Sequence, residues 1–265
     1  MVRFLTSFVL ALCLCPPAAA AEEIHLAARK GDAEALRQLL DAGVPIDQPS
    51  TKNTSQPGVT ALYVAAQFGR IEAVNLLLEA GADPVIRPVG EDADGTPLHM
   101  AVRRGSTEIV KMFLDQGVDP NIYDRWQATP LHQARLRKND DLANLLIAHG
   151  AETDWRAPPI GDQIANADLA AGEVVAKGCA GLCHTLEPGA ELSLWGIVNS
   201  PKAARSGYQY SEALLSMGGD WTIEDLNSFI AAPGRFLPGT GMYYSAPNEQ
   251  DRINLIAFLA TTSEN

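Results

Sequence analysis

Cys179, Cys183 and His184 stand together in Cys179-Ala180-Gly181-Leu182-Cys183-His184, and Met242 follows 58 residues after the histidine in Pro238-Gly239-Thr240-Gly241-Met242. Two thiols this close can add to the two vinyl groups of a haem, and a histidine directly after the second thiol then lies beneath the iron. A thioether such as that of Met242 can complete the iron's coordination from the other side. Three residues separate the two cysteines, one more than the usual attachment spacing. The same pair also admits a local disulfide, or a metal or redox-sensing site. Zinc calls for four ligands, and the sequence offers no second Cys/His cluster to complete the set.

The remaining cysteines, Cys13 and Cys15, lie in an apolar N-terminal run. Arg3, the apolar stretch Phe4 to Cys15, the helix-breaking Pro16-Pro17 and the small residues Ala18 to Ala21 predict a secretory signal peptide over 1–21, cleaved after Ala21. Leu precedes both cysteines, where lipid attachment calls for a small residue, so no lipid anchor is expected. An exported chain meets an oxidising compartment in which idle thiols are usually paired or absent. Two cysteines kept beside a histidine therefore call for a covalent or redox role. No later apolar run reaches the ~18 to 20 residues needed to span a bilayer, so the mature chain is expected to be soluble and periplasmic.

Between the signal and the cysteine pair the chain repeats itself. Gly95-Thr96-Pro97-Leu98-His99-Met100-Ala101 and Ala128-Thr129-Pro130-Leu131-His132-Gln133-Ala134 are 33 residues apart, and Gly58-Val59-Thr60-Ala61-Leu62-Tyr63-Val64-Ala65-Ala66 is an earlier copy. Each leads into an amphipathic run with apolar residues at helical spacing, such as Ala73-Val74-Asn75-Leu76-Leu77-Leu78, and each run stops at a glycine: Gly43, Gly81, Gly117 or Gly150. This pattern resembles the ankyrin family and implies four stacked helix pairs between about Glu22 and Asp154. The first copy, from Ile24, lacks the Thr-Pro start, as a terminal cap would. Insertions at Asp47–Pro57 and Arg87–Asp94 fall in the finger loops, which admit a partner-specific contact or simply tolerated loop length. His25, His99 and His132 occupy equivalent places and are expected to tie adjacent turns together.

From about Asp168 the chain resembles class I cytochrome c of the mitochondrial and bacterial soluble type. The quoted matches are Gly172 to Gly178 before the cysteines, the stretch Gly196 to Leu214, Trp221, Pro233, the Pro238 to Met242 run, and Asp251 to Leu259 at the end. The resemblance implies an all-α chain, in which an ankyrin solenoid is followed by a small helical single-haem domain. It further implies covalent haem c on Cys179 and Cys183, iron held by His184 and Met242, and propionates met by Tyr210 and Trp221. The first and last helices of such a domain cross, here through Gly172 and Val175 against Leu255 and Phe258. Three positions depart from the family. Leu192 replaces the proline whose carbonyl accepts the proximal histidine's N–H, which leaves that bond to Pro188 or another group. Ser200 replaces a propionate-pairing arginine, and Phe229 stands where a tyrosine often bonds the methionine sulfur.

Net charge is −12, with residues 22–155 at −7 and residues 156–265 at −6, which excludes a nucleic-acid binder. Where mitochondrial cytochrome c rings its haem edge with lysines, this chain offers Gly234, Arg235 and Gly241. The organisation read from the sequence is a signal peptide (1–21), an ankyrin array (22–155), a linker (156–167) opened by Arg156-Ala157-Pro158-Pro159-Ile160-Gly161, and a cytochrome c domain (168–265). The expected function is electron transfer, with a redox partner protein docked through the array. Two other readings remain open: a haem subunit of a periplasmic oxidoreductase, and a scaffold or sensor with a degenerate haem site. A haem with both axial positions filled favours a carrier over an enzyme.

Overall fold

The computed structural model describes residues 18–51, 57–89, 95–180, 184–188, 190, 192–204, 207–242, 244–246 and 248–262, with side chains from residue 22 onward. Cys13, Cys15 and Cys183 lie outside the described residues. Among those described there is no strand, and sheet-like pairing is limited to two isolated bridges, Thr185 with Ser193 and Pro201 with Asp220. Helix is the only extended secondary structure among the described residues, as the sequence predicts.

Eight helices form four stacked pairs: α1 (Ala18–Lys30) with α2 (Ala33–Asp41), α3 (Ala61–Gln67) with α4 (Ile71–Glu79), α5 (Pro97–Arg104) with α6 (Thr107–Asp115), and α7 (Pro130–Leu136) with α8 (Asp140–Ala148). Helix α1 begins at Ala18, inside the stretch expected to be cleaved. The Thr-led starts are caps: Thr60 Oγ1 accepts from Tyr63 N at 3.2 Å and Thr129 Oγ1 from His132 N at 3.2 Å, while Thr96 and His99 cap α5 reciprocally. Gly43, Gly81, Gly117 and Gly150 all take φ between +81° and +92°, which ends the second helix of each pair without a Cβ penalty. One continuous core joins the pairs and includes the fully buried Leu36, Leu62, Leu98, Ile109, Phe113, Leu131 and Leu146. Each pair thus buries an apolar face that it could not bury alone.

A second core follows, built from a 3₁₀ turn (Gly161–Asn166), α9 (Leu169–Ala180), α10 (Glu212–Met217), α11 (Ile223–Ala231), α12 (Pro233–Phe236) and α13 (Glu249–Ala260). Helices α9 and α13 cross at Gly172, where a Cβ would lie 2.0 Å from the Asn254 carbonyl oxygen and 2.9 Å from Phe258 Cβ. Only glycine permits that approach. Leu255 is buried and Val175 packs on the same core, as the crossing requires.

Residues 156–167, read from their prolines and glycine as a linker, are bonded into this second core. Ala157 N donates to Ser228 Oγ (3.1 Å), Asn227 Nδ2 donates to the Pro158 carbonyl (2.8 Å), and Glu224 accepts from both Ile160 N (3.1 Å) and Gly161 N (2.8 Å). Ile160 is 1% exposed. The Arg156 guanidinium pairs with Asp225 and stacks over Phe236 at 4.6 Å.

Candidate functional site

Cys179 sits near the C-terminal end of α9 with its thiol half-buried, and burial pushes its pKa up. The thiol hydrogen-bonds the side chain of Tyr244, whose own pKa is raised, chiefly by desolvation. Tyr244 stands two residues beyond Met242. One side chain therefore links the start of the cysteine motif to the methionine run, although 63 residues separate Cys179 from Met242. Sequence reasoning missed Tyr244, which carried no spacing signal.

His184 is half-buried, and desolvation lowers its pKa, so the ring is neutral near pH 7. Its Nδ1 lies 3.3 Å from the Leu192 carbonyl oxygen. A carbonyl can only accept, so Nδ1 carries the proton and Nε2 is the unprotonated nitrogen, the form able to ligate a metal. The substitution at position 192 thus removes a proline ring but not the acceptor, because the acceptor is a backbone oxygen. Neither Pro188 nor another residue is needed. A small closed loop fixes that carbonyl: Thr185 N also donates to it (3.2 Å), and Leu194 N donates to the Thr185 carbonyl (2.8 Å). A fixed acceptor orients the ring and tunes its basicity.

Met242 is half-buried at the end of a tight run. Thr240 N donates to the Leu237 carbonyl (3.0 Å), and Met242 N donates to Thr240 Oγ1 (3.4 Å), with Thr240 itself buried. Trp221 is 5% exposed, its backbone paired with Asn199 and Ser200 and its ring 5.1 Å from Phe229. Phe229 also packs on Phe236, so that side of the site is aromatic and apolar. Tyr210 lies in the loop before α10, edge-on to Tyr208 at 4.9 Å. The Lys202 ammonium, 5.5 Å from the centre of the Trp221 ring, was also missed; it is held by Asp225 at 2.7 Å.

The stretch between His184 and Asp220 has an unusual texture. Among its described residues only Ser193 is buried, while Leu186, Leu194, Ile197, Val198, Leu214 and Met217 rest half-buried on the second core. Cys179 packs on the same core, and partly covered apolar side chains in the segment that follows His184 suit the docking of a large apolar group.

A capped helical solenoid joined to a small helical unit with a half-buried thiol, imidazole and thioether defines the architecture: a repeat array with a candidate haem-binding unit. Comparison with known proteins agrees on both halves. The family described as "Ankyrin repeats (3 copies)" matches residues 15–88 and 86–156, together more than half of the chain. A "Cytochrome c homolog" of Bradyrhizobium diazoefficiens is 38% identical over 125 residues, covering 44% of this chain and 67% of that protein. A "Cytochrome c homolog" of Rickettsia bellii is 36% identical over 102 residues, 37% of this chain and 57% of that protein. "Cytochrome c2" of Rhodomicrobium vannielii is 35% identical over 117 residues, 42% of this chain and 90% of that protein. The chain therefore spans little more than half of the Rickettsia relative but nearly all of the cytochrome c2. It belongs to the ankyrin-repeat family in one part and to the cytochrome c family in the other, and its cofactor class is haem c with iron. Among the described residues no helix is long and apolar enough to cross a membrane.

Proposed function

We propose that this chain is an exported, periplasmic electron-transfer protein carrying one covalently bound haem c, with its ankyrin array docking a redox partner. The signal is 1–21, the array 22–155, the joining segment 156–167 and the haem domain 168–265. Cys179 and Cys183 hold the haem, His184 and Met242 hold the iron, and Tyr210 and Trp221 meet the propionates. When bound, the group supplies a one-electron couple. The observation that carries the reading is the His184 ring, neutral, with Nδ1 committed to the Leu192 carbonyl and Nε2 left for iron.

The protein's own residues do three things for such a couple. The Leu192 carbonyl keeps the imidazole in one tautomer and one orientation, so little rearrangement accompanies a change of charge. The apolar wall of Trp221, Phe229 and Phe236 keeps water from that side. The Leu237–Thr240–Met242 bonds hold the backbone that carries the thioether, and a thioether ligand would favour the ferrous state.

The test is expression of the full chain with periplasmic haem maturation. A Soret band that survives acid-acetone extraction is the expected result, with one thioether lost, and the pyridine haemochrome shifted, in either Cys179→Ser or Cys183→Ser. Unchanged spectra in both variants would refute the attachment. N-terminal sequencing of the product should begin at Glu22. For docking, shortening Asp47–Pro57 should weaken co-purification of the redox partner while the haem spectrum stays as it was; equal recovery would sink the docking role.

A further inference from the structure

Two of the three equivalent histidines reach the next repeat through Nε2, and the Nδ1 of the third meets the second unit. His25 Nε2 bonds the Val59 carbonyl at 3.0 Å and His99 Nε2 bonds the Ala128 carbonyl at 3.2 Å, each belonging to the following repeat. Among the described residues no fifth repeat comes after α7 and α8. There the second unit comes in, and Gly239 N donates to His132 Nδ1 at 3.2 Å. His132 is 1% exposed. Its burial holds it neutral, with a pKa of about 4, so the ring nitrogen keeps the lone pair that this bond requires.

Two glycines make the approach possible. A Cβ on Gly234 would lie 3.0 Å from His132 Cγ and 3.2 Å from Ala128 Cα. Gly239 has φ +97°, and a Cβ there would lie 3.1 Å from Arg135 Cβ. Around them, Arg235 pairs with Glu152 at 3.1 Å and stacks on Trp155 at 4.7 Å and Tyr123 at 5.6 Å. Of the residues read from the sequence at the haem edge, Gly234 and Arg235 meet the chain's own last repeat, while Gly241 is exposed. Gly239 lies inside the run that ends in Met242, one residue before Thr240, whose hydroxyl accepts from Met242 N.

We infer that His132 of the last ankyrin repeat is a positioning residue for the haem iron's sixth ligand, holding the Pro238–Met242 run against the array so that the Met242 sulfur stays on the iron. The inference rests on the reading of Met242 as that ligand. The array is then part of the haem's surroundings and not only a tethered docking module.

The experiment uses the ferric full-length holoprotein and reads the rate at which added imidazole displaces the sulfur, by stopped-flow at the Soret band, together with the weak sulfur-to-iron charge-transfer band. His132→Leu removes the acceptor for Gly239 N–H and should speed imidazole entry about fivefold, the worth of one backbone hydrogen bond. Gly234→Ala, which crowds His132 from the haem side while changing no residue of the array, should speed it likewise. His25→Leu removes an inter-repeat histidine bond at the far end of the array and should leave the rate alone. Met242→Ala should abolish the band, and His132→Leu in that background should add nothing. If Met242→Ala keeps the band, the ligand reading fails and the inference with it. If Met242→Ala loses the band but His132→Leu and Gly234→Ala bind imidazole at the parental rate, the inference alone is overturned. It is likewise overturned if His25→Leu accelerates entry as much as His132→Leu.

Discussion

Replacing Gly172 by Ala sets two effects against each other whose sizes can be read from the structure. In the interior of α9, alanine is favoured over glycine by about 1 kcal/mol. Against that, the new Cβ would sit 2.0 Å from the Asn254 carbonyl oxygen and 2.6 Å from its carbonyl carbon, where ordinary contact begins at 3.4 Å. The obstacle is backbone in the middle of α13, so no side-chain rotation relieves it, and the helices must part by about 1.4 Å, the difference between 3.4 and 2.0. Neighbouring residues oppose the movement: Leu255 and Ile256 are buried, and Asn254 Oδ1 accepts from Asp168 N at 3.0 Å. Overpacking of this kind costs about 3 kcal/mol at the upper end of its usual range, for a net loss of about 2 kcal/mol. In a unit of this size the melting temperature should fall by roughly 10 °C. Gly178, in the same helix, has nothing within 4 Å of its Cβ position, so Gly178→Ala should stabilise by up to about 1 kcal/mol. Urea unfolding followed at the Soret band reports the haem unit alone and measures both. A Gly172→Ala protein as stable as the parent would refute the close crossing.

Acid should loosen the array near its joint. Burial lowers the His132 pKa from 6.5 to about 4 while the Asp124 carboxylate opposes the shift, so the unfolded chain binds a proton that the folded chain refuses. Stability is then full above pH 6.5 and falls as pH drops towards 4, by at most about 3 kcal/mol. Urea midpoints across that window should show the fall, and His132→Gln should flatten it. Asp225→Asn leaves the Lys202 ammonium, 5% exposed, without its carboxylate and removes the partner of Arg156, so a loss of about 3 kcal/mol is expected in denaturant titration. Burial alone would raise the Asp225 pKa, but Lys202 and Arg156 together hold it below the usual carboxylate range. Leu192→Pro keeps the carbonyl that His184 uses and should leave the reduction potential where it was; a large shift would show that the ring and not the oxygen matters at this position.

The array was the most legible part of the chain because each copy repeats one local rule. A threonine caps, apolar residues recur at helical spacing, and a glycine in left-handed conformation stops the second helix. Those rules act within a few residues, so sequence displays them. The crossing of Gly172 with the Phe258 turn was legible only through resemblance, since nothing local pairs residues 86 positions apart. The proximal acceptor was not legible because it is a backbone oxygen, present whatever residue occupies position 192. His132 looked the same as His99 because both follow Thr-Pro-Leu; the Gly239 N–H that its Nδ1 accepts comes from the second unit, about which that local pattern says nothing. The Pro and Gly residues of 156–161 correctly mark irregular backbone. Irregular backbone is not always free, and here Glu224, Asn227 and Ser228 capture its polar groups.

The joint between the two units draws on α7, the segment that comes after α8 and the finger loop holding Tyr123, all from the array's final third. Earlier helix pairs touch the haem unit through none of these contacts. Repeats could therefore be gained or lost upstream, as tandem duplication readily does, while the iron's surroundings stayed constant. Recognition and redox tuning would then evolve on separate clocks: the number of repeats would set the reach and shape of the binding face, and only the terminal one would be constrained by the metal.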